Sequence, residues 1–347
     1  MARTPAAPEA ASPADWTRAR ERSNRGTLRL MAWIAVHLGR RVARLLLWPI
    51  TAYFLLFPGP VGRHSRRYLG RALGRPAGLR DRWRHVFTFA ATVLDRVYFL
   101  RDMRGCFDVR ITGGEHLSAV LAQGRGAILV GGHVGSFEAL SAQGRQLARE
   151  NVAMAMYPDN ARLINETLEA IAPGFSMRII ALGQRSAMLS IRDWLDAGGV
   201  VGLLADRRLP GAEDRTDTLW IPFLGREAPF SLGPWRLAQL LRRPVVFMAG
   251  LYNGGRRYEL RLEPLADFSD APADAAGRER ALHDAARAYA ARLESICRTA
   301  PYNWFNFHDF WHEEAAGGPG LRADDGGAGL GPGAPGADGP AGADQVR

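Results

Sequence analysis

The hydrophobic pattern divides the chain into a leading helical part and a longer part in which short apolar runs alternate with amphipathic segments. Leu28 to Leu38 and Leu45 to Phe57 are nearly continuous apolar runs, separated by Arg40, Arg41 and Arg44. Neither reaches the ~20 residues that a membrane span needs. They therefore predict helices lying in a membrane interface, with Trp33, Trp48, Tyr53 and the arginines at headgroup level. A buried helical hairpin of a soluble protein is the competing reading. Arg63 to Gly74 is basic and helix-compatible. Trp83, Val86, Phe87, Ala90, Val93, Leu94, Val97 and Tyr98 recur at helical spacing through Leu79 to Leu100, which predicts a packed helix carrying Asp95 and Arg96 as an internal ion pair.

From about Phe107 the period changes. Strands are predicted at Val109 to Thr112, Ala127 to Gly131, Val152 to Tyr157, Arg178 to Leu182 and Val200 to Ala205, with helices at Ala161 to Ile171 and Arg185 to Asp196. Leu219 to Phe223, Val245 to Leu251 and Tyr258 to Leu262 complete the strands, and Gly233 to Leu241 and Ala276 to Arg298 the helices. Strand, helix and strand recurring in this way predict an α/β fold with a mixed, largely parallel central sheet flanked by helices. The final 33 residues contain 11 Gly and 4 Pro, too little apolar surface to fold. The expected organisation is a mobile leader (1–26), a membrane-associated helical region (27–104), an α/β domain (105–312) and a disordered tail (313–347).

Charge sharpens this division. All 45 basic residues are arginine; 20 of them lie in residues 1–104 beside only 6 acids, while the remainder carries 25 against 29. An arginine excess that coincides with sub-spanning apolar runs favours a membrane surface as partner. Nucleic acid is not expected, because no recognition motif accompanies the basic region. Cys106 and Cys297 are too few for a disulfide framework and lack metal-ligand spacing, which fits a reducing compartment. The first 27 residues have no apolar core, so no cleavable export signal is expected.

The candidate chemistry lies where the run Ala127 to Val130 breaks into Gly131-Gly132-His133-Val134-Gly135-Ser136-Phe137-Glu138. Side chains that follow a strand sit at its C-terminal edge, where open α/β sheets build their sites. Glu138, five residues after His133, is expected to reach one imidazole nitrogen while the other faces a substrate, the arrangement of a general base. Gly131, Gly132 and Gly135 leave room for a bulky substrate and are expected to turn backbone N–H groups toward a developing oxyanion. Asp206, at the end of the strand Val200 to Ala205, is expected to open onto the same edge.

The spacing of His133 and Glu138 resembles the His-x4-acid signature of the glycerolipid and lysophospholipid acyltransferases, and the wider context resembles most the bacterial branch that includes the lipid A late acyltransferases. A second block, Leu204-Ala205-Asp206-Arg207 followed by Trp220 to Ala228 and Gly233-Pro234, is similar to the block that shapes the acceptor and donor pocket in that branch, with Arg207 in place of a glutamine. Asn303 to Trp311 is similar to the aromatic ending of superfamily members from clusters for aryl-lipid or polyketide-like products, with His308 replacing a tyrosine. The resemblance implies a glycerolipid acyltransferase-like fold and transfer of an acyl group from an acyl-carrier protein or coenzyme A thioester to a lipid-type hydroxyl or amine. It implies His133 and Glu138 as catalytic residues, and Gly132, Gly135, Ser136, Asp206, Arg207, Phe223, Gly225 and Arg226 as substrate-binding ones. No bound cofactor or metal is expected, because the thioester is already activated. The implied location is the cytoplasmic face of a bacterial inner membrane, monotopic or peripheral. A thioesterase or lipid esterase using the same base on water, a covalent route through Ser136, and a non-catalytic membrane scaffold are the alternatives.

Overall fold

The computed structural model describes residues 33–57, 59–101, 103–139, 152–158, 178–183, 185–207, 217–270 and 272–311. The expected leader (1–26), the helix expected from Ala161 to Ile171 and the expected tail (313–347) lie outside them.

A seven-stranded sheet carries the fold. Its strands are β1 (Asp108–Thr112), β2 (Ala127–Gly131), β3 (Val152–Met156), β4 (Arg178–Ala181), β5 (Val200–Leu204), β8 (Pro244–Tyr252) and β9 (Arg257–Asp267), in the order β1-β9-β8-β2-β5-β3-β4. Every neighbouring pair is parallel except β8 with β9. β6 (Thr218–Phe223) and β7 (Arg226–Ser231) form a separate antiparallel hairpin. Its turn places Leu224 at φ 51° and Gly225 at φ 83°. Leu224 is held in that unfavourable region by its burial and by its N–H, which donates to Glu294.

The central strands read as unbroken apolar runs because both of their faces are covered. On one side Ile128, Val130, Val201, Leu203, Val245, Phe247 and Ala249 pack with Leu282, Ala286, Tyr289 and Leu293 of the helix α7 (Ala275–Thr299). The alternate residues Leu129, Val200, Val246 and Met248 join Leu117 of α4 (Gly114–Leu121) on the other. Period-two alternation thus assigns each strand residue to one of two cores. Among the described residues, helices α5 (Arg185–Asp196) and α6 (Gly233–Leu240) also belong to the α/β part.

The leading region forms α1 (Gly39–Leu56), α2 (Gly59–Leu73) and α3 (Leu79–Leu100). The deep face of α3 is mixed: Leu94, Val97 and Tyr98 of the expected apolar stripe are buried, but so are Asp81, His85, Thr88, Thr92 and Asp95, while Trp83, Val86, Phe87, Ala90 and Val93 of that stripe are only half-buried. Partners explain this. Asp81 accepts from Arg75 (2.7 Å) and Tyr302 (2.9 Å), and His85 lies 2.8 Å from the Ser65 hydroxyl and 2.9 Å from the Trp304 carbonyl. Asp95 and Arg96 do not pair with each other, as their adjacency suggested. Asp95 accepts a two-pronged contact from Arg40 of α1 (2.8 and 2.7 Å) and a third bond from Tyr258 of β9 (2.9 Å), whereas Arg96 meets Glu138. Adjacent helix residues point about 100° apart, so one faces α1 and the sheet and the other faces the loop after β2.

That loop is pressed onto β8. Gly135 has φ +57°, and a Cβ there would lie 1.9 Å from the Gly250 carbonyl oxygen; a Cβ on Gly250 would lie 2.1 Å from the Ser136 carbonyl oxygen. Two glycines facing each other allow this approach, and the Ser136 N–H donates to the Gly250 carbonyl (2.8 Å). Gly250→Ala should therefore cost about 2 kcal/mol or more, read as a shifted urea midpoint, whereas Gly254→Ala, whose Cβ would meet nothing within 4 Å, should cost less despite its positive φ.

Candidate active site

The parallel register of β2 and β5 builds the site. Gly131 stands opposite Leu204; two residues further along each chain come His133 and Asp206, at the same C-terminal edge. The His133 Nδ1 lies 2.8 Å from Asp206 Oδ1, and the His133 backbone N–H donates to Asp206 Oδ2 at 2.8 Å. The indole N–H of Trp304 donates to the same Oδ2 at 2.9 Å. Asp206 is 2% exposed at its side chain and His133 30%. The carboxylate is enclosed while the imidazole still opens outward. Burial alone would raise the Asp206 carboxyl; His133, through its charge and its hydrogen bonds, and Arg207 outweigh that and hold it well below the usual carboxylate range. An ionised carboxylate only accepts, so in the neutral ring Nδ1 carries the proton and Nε2 is left as the acceptor.

The site is held from behind by the aromatic segment before Trp311. Val134 and Trp304 form an antiparallel bridge, the Phe305 N–H donates to the His133 carbonyl (2.8 Å) and the Gly135 N–H to the Asn303 carbonyl (2.8 Å). Trp304 is fully buried and meets Tyr68, Phe223, Phe310 and Trp311 edge-on. The Tyr289 hydroxyl donates to the Gly131 carbonyl (2.9 Å) and stands with Asp206 where a Cβ on Gly132 would be, at 3.2 and 3.3 Å. His308 is pushed down to about 3, first by burial and then by Arg207, with His133 and His64 adding to it and Asp206 opposing it. It is a neutral imidazole in the electrostatic neighbourhood of the pair.

Several expectations are corrected by this geometry. The carboxylate bonded to the His133 ring is that of Asp206; Glu138 instead accepts from the Ser136 hydroxyl (3.0 Å) and pairs with Arg96 (2.7 Å). Ser136 is 1% exposed, so its buried hydroxyl is not displayed to a substrate. Gly135 does not offer a donor to an oxyanion, since the N–H groups of His133, Val134, Gly135 and Ser136 all bond within the protein. Phe223 is fully buried against Trp304 and Trp311, a support of the site rather than its lining. Gly225 sits in the hairpin turn, which Leu224 ties to α7, and Arg226 opens β7. Among the described residues no hydrogen bond or ion pair joins this turn to His133 or Asp206. Arg207 follows Asp206 directly and is exposed.

Residues 80–313 match the model of a family described as bacterial lipid A biosynthesis acyltransferase. The chain belongs to that family. The matched span runs from α3 to the end of the aromatic segment and takes in His133, Asp206 and Trp304; α1 and α2 precede it. No curated protein matches the chain at a significant level. Membership makes this chain an acyltransferase of lipid biosynthesis. Trp304 is a site residue that sequence reasoning passed over. The signal for Trp304 was its place in the aromatic block, because a buried indole needs a partner for its N–H.

Two outcomes follow for Asp206. Asp206→Asn should lower turnover at least about 100-fold, since an amide that turns its NH2 toward Nδ1 selects the wrong tautomer, while Trp304→Phe, which removes one donor to a charged acceptor, should lower it about 10-fold. A depressed folded pKa contributes stability that is present above the ordinary carboxylate value, about 4, and is lost as pH falls through the lowered one. Urea denaturation between pH 4 and pH 2 should therefore show wild type losing stability that Asp206→Asn does not lose.

Proposed function

We propose that the protein transfers an acyl group from an acyl-carrier protein or coenzyme A thioester to the hydroxyl or amine of a lipid-type acceptor at a membrane surface. The observation that carries this reading is a half-exposed imidazole whose Nδ1 is engaged by a buried carboxylate, in a chain of an acyltransferase family. Nε2 of His133 takes the proton as the acceptor oxygen or nitrogen attacks the thioester carbonyl. Asp206 stabilises the imidazolium so formed. As the tetrahedral intermediate collapses, the C–S bond breaks and the imidazolium returns its proton to the leaving thiolate. The thioester supplies the driving force, so the reading requires no metal or bound cofactor. Arg207, exposed beside the pair, suits an anionic group of donor or acceptor.

The membrane part of the proposal is supported by α1. Val42, Leu45, Trp48, Tyr53, Phe54 and Leu56 are between 41% and 74% exposed, and Phe57 and Val61 follow them. Apolar side chains of this size, contiguous on one helix and open to solvent, mark an interaction surface. No single helix among the described residues is long and apolar enough to cross a membrane; α1 with residues 61–73 forms one bent pair that passes by length and composition. A helix lying in the interface of the cytoplasmic leaflet of an inner membrane accounts for both facts.

His133→Ala should reduce thiol release from an acyl-coenzyme A probe by about 100-fold or more while the protein remains folded; full activity in the folded variant would remove the mechanism. Release of thiol at the same rate with and without acceptor lipids would mark a thioesterase instead. Leu45→Glu with Trp48→Glu should weaken co-sedimentation with anionic phospholipid vesicles by about 10-fold or more, since each exposed side chain forgoes more than a kilocalorie per mole of burial. Unchanged vesicle binding would sink the interfacial role of α1.

A further inference from the structure

We infer that Arg96 of α3 is a positioning residue of this site, acting through Glu138 and Ser136 on the loop that carries His133; the inference rests on the acyl-transfer reading above. The loop is anchored on two sides by backbone. Ser136 N–H to the Gly250 carbonyl ties it to β8, and Gly135 N–H to the Asn303 carbonyl, with the Val134 and Trp304 bridge, ties it to the aromatic segment. A further attachment is made by side chains. The Ser136 hydroxyl donates to Glu138 Oε2 at 3.0 Å, and Glu138 Oε1 lies 2.7 Å from Nε of Arg96 as an ion pair, off the line of a hydrogen bond.

The exposures order these three groups. Ser136 is buried and its hydroxyl requires a partner. Glu138, at 17% side-chain exposure, is largely out of water, and a carboxylate there needs a compensating charge. Arg96, at 35%, brings that charge from another element. Arg96 is fixed in turn by its helix. Its neighbour Asp95 is locked to Arg40 and Tyr258, and His85, earlier on α3, bonds the carbonyl of Trp304. One helix therefore holds the His133 loop on the Glu138 side and the segment carrying Trp304 on the other. The acid of the His-x4-acid spacing serves as the joint between loop and helix.

A shift of the loop moves Nε2 relative to the acceptor without removing the base, and misplacement by about 1 Å can cost up to about 100-fold in rate. The test uses the full-length protein with palmitoyl-coenzyme A as probe, and compares Arg96→Ala, Arg96→Lys, Glu138→Gln and the double variant Arg96→Ala/Glu138→Gln. The inference expects kcat to fall about tenfold in Arg96→Ala with donor KM within about twofold, and partial recovery in Arg96→Lys. It expects the double variant to be no slower than the slower single one, because the two residues act as one unit. Full kcat in Arg96→Ala, losses that multiply in the double variant, or a raised KM at unchanged kcat would each overturn it, the last by making Arg96 a substrate contact. Amide hydrogen exchange across residues 131–139 provides an arm independent of turnover: Arg96→Ala and Glu138→Gln should speed exchange at Gly135 and Ser136. If wild type releases no more thiol than His133→Ala, the acyl-transfer reading fails, and unchanged exchange in Arg96→Ala then overturns the positioning role as well.

Discussion

A carboxylate with almost no contact with water must be surrounded by donors, and Asp206 is the group on which this architecture depends. Its two oxygens take three N–H groups, from the His133 ring, the His133 backbone and the Trp304 indole. Each comes from a different structural commitment. The β2 and β5 register brings His133 alongside, the turn at Gly132 points its N–H inward, and the aromatic segment folds back to deliver the indole. An unpaired buried charge costs several kilocalories per mole, so the three elements must assemble together. The consequence for chemistry is an imidazole with a defined tautomer and one nitrogen left for a substrate.

The leading helices show a related balance. Along α3 the buried acids and histidine are each matched, Asp81 with Arg75 and Tyr302, His85 with Ser65 and Trp304, Asp95 with Arg40 and Tyr258, while Ala91, Leu94, Val97, Tyr98, Phe99 and Leu100 form an apolar cluster beside them. Where α1 faces outward, large apolar side chains stay exposed. An outward face of large apolar side chains on α1 is the reverse of an ordinary surface helix. It is consistent with a layer whose solvent on one side is something other than water.

Most of the sheet was legible because its central strands are continuous apolar runs ended by glycine or a charge; β2, β5 and β8 were predicted within one or two residues, as were α5 and α7. β7 was missed: its run from Arg226 to Ser231 carries Glu227 and Pro229 and no alternation, and only its pairing with β6 makes it a strand. Residues 108–112 and the C-terminal half of β9 are partly exposed and gave a weaker signal. The site was legible in part. His133 and Asp206 both sit at apolar strand ends, and that placed them on one edge. The partner of the ring was misassigned because sequence spacing favours the near acid, Glu138, whereas sheet register favours one 73 positions away. Phe223 was read as pocket because it lies in the block resembling a pocket, while its burial depends on Trp304 and Trp311, far along the chain.

The central claim is that Asp206, and not Glu138, is the carboxylate that serves the His133 ring. The direct measurement is the nitrogen spectrum of the protein labelled with 15N-histidine, recorded above the titration of the ring, in wild type, Glu138→Gln and Asp206→Asn. The account predicts a neutral His133 protonated at Nδ1, with the same two nitrogen shifts in Glu138→Gln and a changed tautomer balance in Asp206→Asn. A tautomer that survives loss of the Asp206 carboxylate but changes with Glu138 would contradict it.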